Sequence, residues 1–170
     1  MRIYLIGYMA SGKTTIGNTL AGLLHIAFTD LDALIEATEG CSVADIFQQR
    51  GEAYFRRAEQ AALQQTFKMD DVLVACGGGT PCFENNMAAM NAHGLTVWLN
   101  TRLETIYERL LKARNQRPLL AGTSDADLWL HIQQQMKERL PFYSQAQLMY
   151  EPHREPPAQL CARIQQTVNK

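Results

Sequence analysis

The chain has 170 residues, of which 46% are hydrophobic and 19% charged, and its 16 Lys and Arg against 17 Asp and Glu leave a formal net charge of −1. That length suffices for one domain with a substantial core, and the apolar content excludes a disordered chain. The balanced charge supplies no broad positive field, so neither nucleic acid nor an anionic membrane is an expected partner.

The first apolar run is Ile3-Tyr4-Leu5-Ile6, a predicted strand. Residues 1–10 contain one Arg and fall short of both a signal peptide and the ~20 apolar residues of a membrane span, so a soluble, cytoplasmic protein is expected. A Gly-rich turn then leads into Ile16, Leu20, Leu23 and Leu24, spaced to share one helical face. Residues 26–28 are a second short apolar stretch, ending in Thr29-Asp30-Leu31-Asp32. Ser42-Val43-Ala44-Asp45 reads as a capped helix start, Gly51 as an interruption, and residues 52–68 as resumed helix.

Val72-Leu73-Val74-Ala75-Cys76 is continuously apolar, as in a strand covered on both faces, and stops at Gly77-Gly78-Gly79. Residues 95–99 repeat the strand signal, and Thr101 with Glu104 predicts a capping box for a helix bearing Leu103, Ile106 and Leu110. Residues 114–127 are polar and read as a loop before a helix with Leu128, Ile132 and Met136. A strand at 148–150 and a helix with Leu160, Ile164 and Val168 follow. The cysteines, Cys41, Cys76, Cys82 and Cys161, lack zinc or C-x-x-C spacing and read as small buried apolar residues in a reducing compartment.

Five strands alternating with helices predict an α/β fold, a doubly wound parallel sheet in three layers, as a single domain over residues 1–170. Ligands of such sheets sit at the carboxyl ends of the strands, which places the site on the loops after Ile6, Phe28 and Cys76.

Gly7-Tyr8-Met9-Ala10-Ser11-Gly12-Lys13-Thr14 satisfies G-x-x-x-x-G-K-[ST] between a predicted strand and a predicted helix. Such a loop turns backbone N–H groups and a helix N-terminus toward phosphates, Lys13 adds a point charge, and Thr14 offers a hydroxyl to Mg²⁺. A guanine-reading N-K-x-D is missing, as is a strand ending in an ordinary Walker B Asp, which disfavours a switch GTPase. Asp30 and Asp32, two apart at a strand end, would point to one side if extended: one for the metal, the other to orient or deprotonate an attacking hydroxyl, or else to cap the next helix. Arg56 and Glu59 share a helical face, an arrangement that is often only a surface ion pair. Arg117 lies in the polar loop and Arg139 where a helix should end. The glycine run permits close approach to bare backbone.

In the order and spacing of these pieces, the whole chain resembles the shikimate kinases. The shared segments are the loop 7–14, Asp30-Leu31-Asp32, Ser42-Val43-Ala44-Asp45-Ile46-Phe47, Phe55-Arg56-Arg57-Ala58-Glu59, Gly77-Gly78-Gly79, Arg117-Pro118-Leu119-Leu120, and Arg139 with Tyr143. The resemblance implies strand order 2-3-1-4-5 and transfer of the ATP γ-phosphoryl group, with Mg²⁺, to the 3-hydroxyl of shikimate. It implies nucleotide contacts from Ala10, Ser11, Gly12, Lys13, Thr14, Thr15, Arg117 and Arg154, and metal contacts from Thr14 and Asp30. Shikimate would meet Asp32, Arg56, Gly77, Gly78, Gly79 and Arg139, with Glu59 steadying Arg56. Lys13, Asp32 and Arg117 would be catalytic, a lid would span about 112–126, and a helical substrate-binding region about 33–62. Two positions depart from the family pattern: Ala10 stands where many members have Gly, and the nucleotide-contacting Arg before the lid has three competitors, Arg109, Lys112 and Arg114. A monomer is expected. The alternatives are a gluconate-type kinase, or a nucleotide-binding regulatory module without turnover.

Overall fold

A computed structural model of the protein describes residues 1–113 and 124–168. Strands β1 (Arg2–Ile6), β2 (Ala27–Asp30), β3 (Val72–Ala75), β4 (Leu95–Leu99) and β5 (Leu148–Tyr150) pair in the order β2-β3-β1-β4-β5, all parallel. Between them lie helices α1 (Lys13–Leu24), α2 (Leu31–Glu39), α3 (Val43–Thr66), α4 (Asn86–His93), α5 (Leu103–Ala113), α6 (Asp125–Tyr143) and α7 (Pro157–Val168). This is the expected doubly wound α/β sheet.

Alternation along β1 divides the core. Ile3 and Leu5 face one side with Leu20 of α1 and Leu160 and Ile164 of α7, whereas Tyr4 and Ile6 face the other with Leu31, Ile35, Ile46, Phe55 and Met90. Each fully buried side chain of this kind contributes about 1.5–3 kcal/mol relative to exposure, which is why the central strands read as unbroken apolar runs. A third cluster joins Tyr8 of the phosphate loop to Ile106 and Leu110 of α5 and Leu128 and Ile132 of α6, tying the loop to the helices on either side of residues 114–123.

Several local expectations hold. The Ser42 hydroxyl accepts from the Asp45 N–H, capping α3, and Gly51 breaks that helix with φ 77° and ψ 173°. Others need correction. Leu23 does not share the buried face of α1 but is 43% exposed, and Gly17 and Ala21 lie buried beside Leu20 instead. Thr101 forms no capping box with Glu104: its buried hydroxyl donates to the Ser11 carbonyl at 2.8 Å, pinning the phosphate loop to the end of β4. Helix α6 begins within the expected loop, at Asp125, because Ser124 accepts from the Asp127 N–H. A 3₁₀ turn at Thr80–Cys82 and helix α4 were not anticipated. Of the cysteines, Cys76 and Cys161 are buried as expected, while Cys41 and Cys82 are only half-buried.

Candidate active site

The loop after β1 enters α1 through Gly12, whose φ of 101° is a left-handed conformation that glycine adopts without strain. Because no side chain caps this end, the first N–H groups of α1 stay open to a cleft of about 530 Å³. Residues 10–16, Arg109 of α5 and Pro152 line that cleft. The Ser11 hydroxyl is buried there with no hydrogen-bond partner among the described residues. Open amides, an unpartnered hydroxyl and a helix N-terminus form a donor set suited to phosphate oxygens. Lys13 Nζ donates to the Gly7 and Tyr8 carbonyls, 2.8 Å each, and burial lowers its pKa to about 8.

Of the cations left open by sequence, Arg109 meets the loop, donating to the Ala10 carbonyl at 2.9 Å, and Arg114 lies outside the described residues. Ala10 itself has φ 58°, a left-handed conformation that costs a side chain about 1 kcal/mol and explains why glycine suits the position. Arg154, two residues after the cleft-lining Pro152, is exposed and paired with Glu151 at 2.8 Å.

Asp30 and Asp32 are not successive positions of an extended strand. Asp30 ends β2 and caps α2, its Oδ1 accepting from the Asp32 N–H at 3.0 Å, while Asp32 sits in the first helical turn. The helix start nevertheless keeps both carboxylates within electrostatic reach of Lys13. Burial, reinforced by the neighbouring charges of Asp30 and Glu59, raises the Asp32 pKa to about 6. Thr14 lines the phosphate cleft and Asp30 lies within electrostatic reach of Lys13, and their hydroxyl and carboxylate are hard oxygen donors of the kind that fits Mg²⁺.

The glycine run leaves room for other side chains. A Cβ at Gly78 would stand 2.9 Å from Arg139 Nη1, and one at Gly79 would stand 2.9 Å from both Arg56 terminal nitrogens. A Cβ at Gly77 would meet Thr80 Oγ1, Glu59 Oε1 and Asp32 Oδ1 within 3.1–3.4 Å. Two guanidinium groups and two carboxylates from three helices thus converge on three adjacent glycines. Arg139 lies over the Tyr8 ring at 5.1 Å, and its Nη1 is buried without a hydrogen-bond partner among the described residues. Tyr143 donates to the Gly78 carbonyl, holding the glycine run against α6.

The Arg56–Glu59 pair is no ordinary surface ion pair. Glu59 is 1% exposed, and its Oε2 accepts from Arg56 Nη1 at 2.8 Å. Phe83 stacks on the Arg56 guanidinium at 3.9 Å, and the more exposed Glu52 flanks it at 3.1 Å. Arg117 lies outside the described residues, as does most of the expected lid.

Chemically, the phosphate cleft offers donors for an anion, and the glycine run carries two positive forks and carboxylates able to meet a hydroxyl. Fold and phosphate loop together define a P-loop phosphotransferase. The family model for shikimate kinase matches residues 9–169. The shikimate kinase of Bacteroides fragilis is 45% identical over 150 residues, covering 88% of this chain and 84% of that protein. The crystal structure of shikimate kinase from Bacteroides thetaiotaomicron superposes with a TM-score of 0.90 at 38% identity, covering 100% of this chain and 99% of that one. That of Acinetobacter baumannii shikimate kinase in complex with shikimate gives 0.82 at 32%, covering 98% and 92%. The chain belongs to the shikimate kinase family and is a kinase.

Proposed function

We propose that the protein transfers the γ-phosphoryl group of ATP to the 3-hydroxyl of shikimate, the phosphorylation that serves aromatic amino-acid biosynthesis. The observation that carries this reading is the convergence of Arg56, Arg139 and Asp32 on Gly77-Gly78-Gly79 beside the phosphate cleft. Guanidinium groups bind a carboxylate through paired, charge-assisted hydrogen bonds, so Arg56 and Arg139 suit the carboxylate of shikimate. Asp32, with its raised pKa, suits the reacting hydroxyl, whose proton it orients and accepts. Gly77, Gly78 and Gly79 lie against the ring.

The nucleotide lies on Ala10, Ser11, Gly12, Lys13, Thr14 and Thr15, with Arg109 beside the loop, Pro152 lining the same cleft and Arg154 farther along that segment. Lys13 and Arg117 stabilise charge on the transferring group, the larger part of catalysis in a loose phosphoryl transition state. Thr14 and Asp30 would hold Mg²⁺, which would supply positive charge to offset that of the phosphate oxygens. Residues 1–170 act as one kinase unit, with a helical substrate-binding region at about 33–62 and a lid at about 112–126 that excludes water. We place it in the cytoplasm as a monomer. Among the described residues no helix is long and apolar enough to cross a membrane, in keeping with this placement. Membership of the family disfavours a gluconate kinase, and no expected position is lost among the described residues, which disfavours an inactive module.

Phosphorus NMR of the product tests the acceptor atom. A phosphomonoester coupled to the proton on carbon 3 of shikimate is expected, and phosphate on another hydroxyl overturns the assignment.

A further inference from the structure

We infer that Thr80 is a positioning residue for the acceptor, acting through Glu59 to hold the Arg56 guanidinium in its binding orientation. Glu59 and Thr80 are both buried, at 1% and 0% exposure. A buried carboxylate needs partners on both oxygens. Arg56 Nη1 supplies one to Oε2 at 2.8 Å, and the Thr80 hydroxyl donates to Oε1 at 2.5 Å. The Thr80 backbone is itself fixed: its N–H donates to the Gly77 carbonyl at 3.1 Å, and its carbonyl accepts from Asn86 Nδ2 at 3.0 Å. The hydroxyl therefore starts from a rigid turn and aims at Glu59 just below the glycine run.

Arg56 has a second carboxylate partner in Glu52, but that side chain is 59% exposed. An exposed partner of this kind fixes orientation weakly. The chain of contacts Thr80, Glu59, Arg56 is the rigid one, and Gly77 and Gly79 admit it, since a Cβ at either would press on its members. Without the Thr80 hydroxyl, Glu59 Oε1 is left unpartnered in the interior; the carboxylate then rotates toward another donor, and that change releases Arg56.

The inference rests on the shikimate kinase reading. Steady-state kinetics of Thr80→Val and Thr80→Ser, with shikimate and ATP varied separately, test it. Thr80→Val is expected to raise the KM for shikimate about tenfold, the scale of losing a hydrogen bond to a charged group, with kcat and the KM for ATP within about threefold. Thr80→Ser, which keeps the hydroxyl, is expected to stay within about twofold of the parent. If thermal unfolding shows that Thr80→Val does not fold, Thr80→Ala removes the hydroxyl without pressing a methyl on Glu59 and is judged by the same figures. An unchanged KM for shikimate, an equal loss in Thr80→Ser, or an equal rise in both KM values overturns the inference. If the unaltered enzyme phosphorylates a different hydroxy acid and its KM shows this dependence on Thr80, the relay stands and the acceptor assignment falls.

Discussion

Gly79 lies flat against the Arg56 guanidinium, so that a Cβ at residue 79 would stand 2.9 Å from both Nη1 and Nη2. Ordinarily the end of an arginine moves aside for a methyl group at little cost. Here Glu59, Glu52 and the Phe83 ring hold it. Gly79→Ala should therefore displace the guanidinium without unfolding the protein: the KM for shikimate rises about tenfold, the worth of one charge-assisted contact, while the melting temperature changes by only a few degrees. Acceptor titrations beside a thermal melt check this.

On the proposed function, Lys13 serves the nucleotide and Arg139 the acceptor. Lys13 sits in the phosphate loop, bonded to the Gly7 and Tyr8 carbonyls, whereas Arg139 faces Gly78 from α6. Lys13→Ala should lower kcat by about 10²–10³ with any acceptor, the scale of removing one electrostatic donor from a transition state. Arg139→Ala should raise the KM for shikimate about thirtyfold or more and leave ATP binding within about twofold. Calorimetric titration of nucleotide against both variants checks the split; equal loss of ATP affinity contradicts it.

Two titrations bound the active pH range. Burial raises Asp32 to about 6 and lowers Lys13 to about 8, so both groups are charged only between those values. kcat/KM, which reports the free enzyme, should fall below pH 6 as Asp32 takes up a proton and above pH 8 as Lys13 loses one. Asp32→Asn should remove the acid limb and Lys13→Arg should move the alkaline limb upward. For stability the sign is opposite to that of an ordinary salt-bridged carboxylate. The folded pKa of Asp32 exceeds its unfolded value, so its contribution is fully present below pH 4 and lost as pH rises through 6. Asp32→Asn should thus be more stable than the parent above pH 6, with the difference narrowing toward pH 4 in melts across that range.

Much of this was legible in the chain because the signals were local. The run at 72–76 is apolar since β3 is covered on both faces, the phosphate loop has a fixed pattern, and Gly51 breaks α3 where the spacing breaks. What stayed hidden depends on the third dimension. An Arg and a Glu three apart look alike whether exposed or buried, so nothing announced that Glu59 is enclosed. Arg109 and Lys112 look equivalent in the sequence, and only the placement of α5 turns Arg109 toward Ala10. Thr101 matched a capping pattern, but the nearby Ser11 carbonyl took its hydroxyl instead. Asp30 and Asp32 were rightly grouped, yet through a helix start rather than a strand.

Ala10 holds a backbone conformation that suits glycine better than alanine. With φ 58° it occupies a left-handed conformation, while its carbonyl accepts from Arg109. Ala10→Gly should stabilise the protein by up to about 1 kcal/mol, the conformational relief less the added freedom of the unfolded chain. Denaturant unfolding measures this, and a loss of stability counts against strain at the loop.

The most direct measurement is ADP release from MgATP with shikimate, with gluconate and with no acceptor, in the parent enzyme and in Asp32→Asn. Turnover that requires shikimate and collapses in Asp32→Asn is the predicted result. Turnover with gluconate alone, or shikimate-dependent turnover that survives the loss of the Asp32 carboxylate, would contradict the account.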